Sequence, residues 1–120
     1  MALSLESQII WNEPGLSLMA ARNENEKIAY RCRLLRRAAG YDSATDFAAL
    51  LGIERSRWAN IEGGYPLTRQ IALEIAKKVQ GSSIDYLYLG MEGNLSVGMR
   101  DEIRRLEAAD APRRRANNNH

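Results

Sequence analysis

A single cysteine, Cys32, cannot close an internal disulfide, and the lone histidine, His120, stands at the end of a polar Asn117-Asn118-Asn119 tail. No set of soft ligands exists from which to assemble a metal site. Cys32 therefore reads as a small apolar residue on the buried side of a helix. With no histidine in the body of the chain, no activated nucleophile and no evident carboxylate pair, the sequence argues against an enzyme and implies no cofactor. No apolar run approaches the roughly 20 residues that a bilayer span needs. Met1 to Ile10 alternates apolar residues with Ser, Glu and Gln instead of placing a basic stretch before an apolar core. The expectation is a cytoplasmic protein with no membrane partner. Strand signals are weak throughout and no internal repeat is present, so the fold class is read as all-α.

What is present fits one compact domain with tails: 120 residues, of which 45% are hydrophobic and 27% charged. The net charge of +2 is unevenly spread. Residues 1–25 carry −2, residues 26–90 carry +3 and residues 91–120 carry +1, which makes the middle segment the basic one. Such an excess is compatible with binding a polyanion.

Five helices are expected between residues 23 and 90. The first opens at Asn23 or Asn25 and stops at Gly40, with Ile28, Cys32, Leu35 and Ala39 as its buried stripe. Asp42 or Ser43 caps the second, Asp46 completes a capping-box-like pattern, Phe47, Leu50 and Leu51 face inward, and Gly52 ends it. The third runs from about Glu54 to the Gly63-Gly64 pair and has only Trp58 and Ile61 as large apolar residues. The fourth follows Pro66-Leu67 with Thr68 as cap and buries Ile71, Ala72, Ile75, Ala76 and Val79. Gly81 stops it, and Ser82 or Ser83 caps a short fifth helix that contributes Ile84, Leu87 and Leu89. Residues 1–22 form an N-terminal extension. Residues 91–110 hold a linker and a short amphipathic helix with Met99, Ile103 and Leu106 on one side, and residues 111–120 are expected to be disordered.

Two short helices separated by a tight turn at Gly52, the second with a narrow apolar stripe, form the helix-turn-helix pattern, in which the second helix enters a DNA major groove. At 100° per residue, Trp58 and Ile61 lie within about 60° of one another, and Ser56, Ala59 and Asn60 point the other way with Arg55 and Arg57 on the flanks. Arg55 carries the planar fork that matches guanine O6 and N7, and Asn60 matches adenine N6 and N7. Each such contact contributes roughly 1–3 kcal/mol of discrimination. Ser56 can donate or accept, and Ala59 allows close approach or touches a thymine methyl. Arg57 points to the side, toward a phosphate. Further phosphate contacts are expected from the starts of the second and fourth helices, helped by Ser43, Thr68 and Arg69. Tyr65 either reaches a phosphate or packs onto the fourth helix.

The segment from about Ile28 to Gly90 resembles the lambda-repressor/Cro-like family of helix-turn-helix transcriptional regulators, often called the xenobiotic-response-element family. FAALLGIERSRWANIEGG matches the family's second helix, turn, polar recognition helix and Ile-Glu-x-Gly ending, and LTRQIALEIAKKV and SSIDYLYLG match its last two helices. The resemblance covers roughly half the chain and implies a five-helix domain that binds operator DNA as a homodimer, most often to repress transcription. It also implies that Glu62 pairs with Arg36 as a structural ion pair. Two departures stand out. Ser43-Ala44 replaces the glutamine usual at the start of the second helix, and Glu54 stands where a Ser or Thr cap is usual. The Glu54 carboxylate favours the helix dipole while repelling phosphates.

The alternative is a protein-interaction module or antitoxin on the same scaffold, since a fold does not fix a function. Residues 1–22, with Ile9, Ile10 and Trp11, and residues 98–109, with the Met99/Ile103/Leu106 stripe, serve in that comparison as a dimer interface, a partner-binding arm or a cover for the core.

Overall fold

Apolar residues recur at helical spacing along nearly the whole chain, and the computed structural model, which describes the backbone of residues 14–118 and the side chains of residues 23–111, is correspondingly all-helical. Among the described residues there are six helices and no strand: α1 (Pro14–Ala38), α2 (Ala44–Leu51), α3 (Arg55–Glu62), α4 (Arg69–Lys78), α5 (Ile84–Leu89) and α6 (Val97–Asn118).

Local chemistry accounts for most of the boundaries. The Ser43 hydroxyl accepts from the Thr45 and Asp46 N–H groups, Thr68 Oγ1 accepts from Ile71 N–H, and Ser83 Oγ accepts from Tyr86 N–H. Each satisfies donors that the first turn of a helix leaves free. At the end of α2, Gly52 adopts φ 74°, which lets Ile53 N–H close on the Ala48 carbonyl at 3.0 Å and Gly52 N–H on that of Ala49 at 3.2 Å. This left-handed residue turns the chain so that α3 begins at Arg55, after only Gly52, Ile53 and Glu54.

α1 departs from the expected start at Asn23 or Asn25. It runs for 25 residues from Pro14, so residues 14–22 are helical and continuous with residues 23–38. Proline fits a first turn because its missing N–H is not needed there, and residues 16–22 contain no helix breaker. An asparagine inside a continuous helix simply turns its side chain to solvent, as exposed Asn23 does. Residues 1–13, including the Ile9-Ile10-Trp11 cluster, lie outside the described residues.

The core lies between α1 and the four short helices, with Phe47, Trp58, Ile75 and Leu87 fully buried. The expected inward residues agree with two exceptions. Ala76 is exposed, as is Leu89 at 65%, and the position toward the core in α5 belongs to Tyr86. Leu89 lies two residues beyond buried Leu87, about 200° around the helix, so the two cannot share a face.

α6 packs against α1 and buries Met99, Ile103 and Leu106 in the same core. Arg37 and Tyr30 of α1 hold Asp110 at 3.1 and 3.4 Å. The apolar stripe thus covers the chain's own core. Ser96 caps the helix through Met99 N–H at 3.1 Å, a signal missed in the sequence. The helix also continues to Asn118, across a segment expected to be disordered. Pro112 lies inside this helix, where it takes away the donor for the Ala108 carbonyl and crowds that carbonyl, and Ala108 is exposed, so water can reach it. Asn119 and His120 lie outside the described residues. Leu106→Ala is expected to lower the unfolding free energy by about 2 kcal/mol, near the low end for a buried leucine. Urea denaturation checks this, and the loss should not depend on protein concentration, as a dimer-interface loss would.

Candidate nucleic-acid interface

α3 is held from one side only. Trp58 is fully buried and Ile61 is 3% exposed, whereas Arg55, Ser56, Arg57, Ala59 and Asn60 are all exposed. An α-helix of 8 residues is about 12 Å long, so this outward set forms a two-turn polar ridge.

The anchoring of that ridge converges on Glu62. Its carboxylate accepts from Arg36 Nε at 2.6 Å and from an Arg36 terminal nitrogen at 3.2 Å, and it also accepts from the Trp58 indole N–H. Arg36 donates further to the Tyr41 and Asp42 carbonyls, both at 2.7 Å, which ties the α1–α2 connection to the same point. Arg33 adds a bond to the Glu62 carbonyl at 3.2 Å. The resemblance pointed to the Arg36–Glu62 pair. The Arg33 and Trp58 contacts were not foreseen, although Arg33 sits one turn before Arg36 on the same side of α1.

The cations of the domain divide into two groups. Lys27 pairs with Glu24, Arg31 donates to the Leu87 carbonyl, Arg33 and Arg36 engage Glu62, Arg37 engages Asp110, and Lys77 and Lys78 flank Glu74. Between residues 23 and 90 only Arg55, Arg57 and Arg69 have no ion pair or hydrogen bond among the described residues. All three belong to α3 or to the start of α4. Within residues 23–90 the cations without a partner among the described residues therefore gather on these two elements.

Arg57 lies on the α4 side of the ridge and lines two grooves. One, of about 330 Å³, is shared with Gln70, Glu74 and Lys78. The other, of about 250 Å³, is shared with Asn60, Tyr65 and Thr68. Tyr65 is 64% exposed and lines the smaller groove together with Thr68 and Ile71. Ser43 and Thr68 use an oxygen lone pair in capping, which leaves each hydroxyl proton free to donate. Glu54 is exposed at the N-cap of α3 and makes no side-chain capping bond there.

Cys32 carries none of the chemistry of a nucleophile. It is fully buried, and burial, reinforced by Glu62 and opposed by Arg31, pushes its thiol up to about 12 from an ordinary 9.0. The folded state thus keeps the proton that an unfolded chain releases near pH 9, so this contribution to stability is complete below pH 9 and lost as pH rises toward 12. Burial raises Tyr86 as well. The expected outcome is a fall in the urea midpoint from about pH 8 to about pH 11 that is smaller in Cys32→Ala.

Fold and site together define an all-helical protein that presents a polar, unpaired-cation helix to solvent. Comparison of the chain with family models, with curated proteins and with solved structures found no match.

Proposed function

We propose that the protein is a sequence-specific DNA-binding transcriptional regulator, a repressor that sits on an operator as a homodimer with α3 in the major groove. The observation that carries this reading is that Arg55 and Arg57 on α3 and Arg69 at the start of α4 are exposed and have no partner among the described residues. α2, the Gly52 turn and α3 then act as the helix-turn-helix unit. Arg55, Ser56, Ala59 and Asn60 read base edges, while Arg57, Tyr65, Arg69 and the hydroxyls of Ser43 and Thr68 address phosphates. Glu54 is the opposing charge at the entrance of the ridge, and its carboxylate keeps that end of α3 from close approach to a phosphate.

The test is a binding titration on DNA from around the protein's own promoter, with salt varied. Arg55→Ala and Asn60→Ala are each expected to weaken specific binding by about 5- to 150-fold, corresponding to roughly 1–3 kcal/mol. Binding that stays at the non-specific level, with neither variant different from the parent, sinks the reading.

A partner-protein role of the antitoxin kind has one observation in its favour. Leu89 and Met91 are 65% and 57% exposed at the end of α5, away from the core. On that reading Leu89→Asp abolishes partner binding and leaves the DNA titration unchanged.

A further inference from the structure

Acids and bases are matched along α6 as far as Asp110, and beyond it they are not. Arg104 pairs with Glu92 and Arg105 with Glu102, while Asp110 is held by Arg37 and Tyr30 of α1. Residues 111–120 contain Arg113-Arg114-Arg115 and no carboxylate, and the helical backbone continues through this triplet to Asn118. Helical neighbours lie three and four residues apart, so Asp110 is the one acid in register with Arg113 and Arg114, and it is already engaged. Three successive positions also spread over about 200° of a helix, so no single packed face can take all of them.

The direction of α6 decides where the triplet is carried. Glu107 lines a cleft with Asn23, Lys27, Tyr30 and Arg31 of α1, whereas Asp110, one turn later, bonds to Tyr30 and Arg37. α6 thus advances along α1 in the same sense, and at 1.5 Å per residue positions 113–115 lie about 5–8 Å beyond Asp110, toward the last turn of α1. From that turn Arg36 fixes the Tyr41 and Asp42 carbonyls, immediately before Ser43 opens α2. A membrane surface would call for an apolar strip beside the cations, and that of α6, formed by Met99, Ile103 and Leu106, is buried in the core. Duplex phosphates require only the charge. Resting on the DNA-binding reading above, in which the start of α2 addresses phosphates, we infer that Arg113, Arg114 and Arg115 form a second contact with the DNA backbone, on phosphates flanking the stretch read by α3. This contact adds affinity without sequence information, because phosphates are alike at every base pair. Asp42, exposed and without an ion pair among the described residues, is the internal competitor, and one carboxylate cannot neutralise three guanidinium groups.

The experiment uses a duplex selected from a random pool and compares the parent with two triple variants, Arg113→Gln/Arg114→Gln/Arg115→Gln and the same three positions changed to Lys. At about 0.1 M salt the Gln variant should bind about tenfold more weakly, and its slope of log affinity against log salt should be shallower by about 1–2, as for one or two lost phosphate contacts. The ranking of single base-pair changes within the site and the urea midpoint should match the parent, and the Lys variant should keep the parent's slope. Trimming the duplex to the stretch read by α3 should bring the parent down to the Gln variant. An unchanged slope in the Gln variant overturns the inference and leaves the DNA reading standing. Two companion results would say where the triplet acts instead: a lowered urea midpoint points to Asp42, and lost binding to phosphatidylserine vesicles points to a lipid surface. If the pool yields no enriched sequence, the DNA reading fails and the inference fails with it.

Discussion

Arg36→Met is expected to lower the unfolding free energy by about 3–5 kcal/mol. An exposed ion pair would contribute no more than about 1 kcal/mol. The Arg36 and Glu62 side chains are only 10% and 12% exposed, however, and neither can turn to water when its partner is removed. Removing the guanidinium strands a carboxylate that keeps only the Trp58 indole N–H and the half-exposed Arg33, and it frees the Tyr41 and Asp42 carbonyls. Combining Arg36→Met with Glu62→Leu should recover part of the loss, because no charge is then left unpaired. Recovery is incomplete because the two carbonyls and the indole N–H still lack partners. Urea denaturation of the parent, both single variants and the double variant measures the coupling, which should fall in the range of about 0.5–3 kcal/mol. Single variants that each lose under about 1 kcal/mol would show that the pair behaves as a surface bridge.

The second large effect belongs to Trp58→Ala, expected to cost about 3–5 kcal/mol. The ring is fully buried, its centroid lies 4.8 Å from that of Phe47, and Phe47 in turn meets Tyr41 edge-on at 5.5 Å. Alanine would leave a cavity at the centre of that stack and remove a hydrogen bond to Glu62. Because α3 has only Trp58 and Ile61 as buried residues, losing one releases the ridge as well as the core. Trp58→Phe keeps most of the apolar area and should lose about 1–2 kcal/mol, chiefly for the absent indole N–H. With total stabilities of about 5–15 kcal/mol typical of domains, the alanine variant should unfold at markedly lower urea. A loss below about 1.5 kcal/mol would mean that the aromatic stack does not hold α3.

These two side chains show how legibility varied along the chain. Trp58 was readable from spacing, because a large apolar residue three positions before Ile61 on an otherwise polar helix has one direction to face. The Arg36–Glu62 pair was readable only through the resemblance, since 26 residues separate its members and nothing local links them. The caps at Ser43, Thr68 and Ser83 were readable because each hydroxyl bonds an N–H two or three residues away. The start of α1 is not legible from Asn23 or Asn25, because a capping residue signals a helix start only where the preceding turn is not already helical. The groove between α3 and α4 left no trace in the pattern, because Ile61, Pro66 and Ile71, which help to line it, also read as core or turn.

Helical class, the narrow stripe of α3 and the order of the helix boundaries follow from periodicity and from side-chain-to-backbone bonds, which act over a few residues and are present in the chain before it folds. The destination of α6 does not. The Met99, Ile103 and Leu106 stripe states that one side must be covered, but not by what, and packing against α1 decided that it closes the protein's own core. The same holds for charge. The composition has an excess of cations, and only the folded arrangement determines which are neutralised by a carboxylate and which, like Arg55, Arg57 and Arg69, remain unpaired. Electrostatic pairing depends on distances between helices, and those distances exist only after the core has formed.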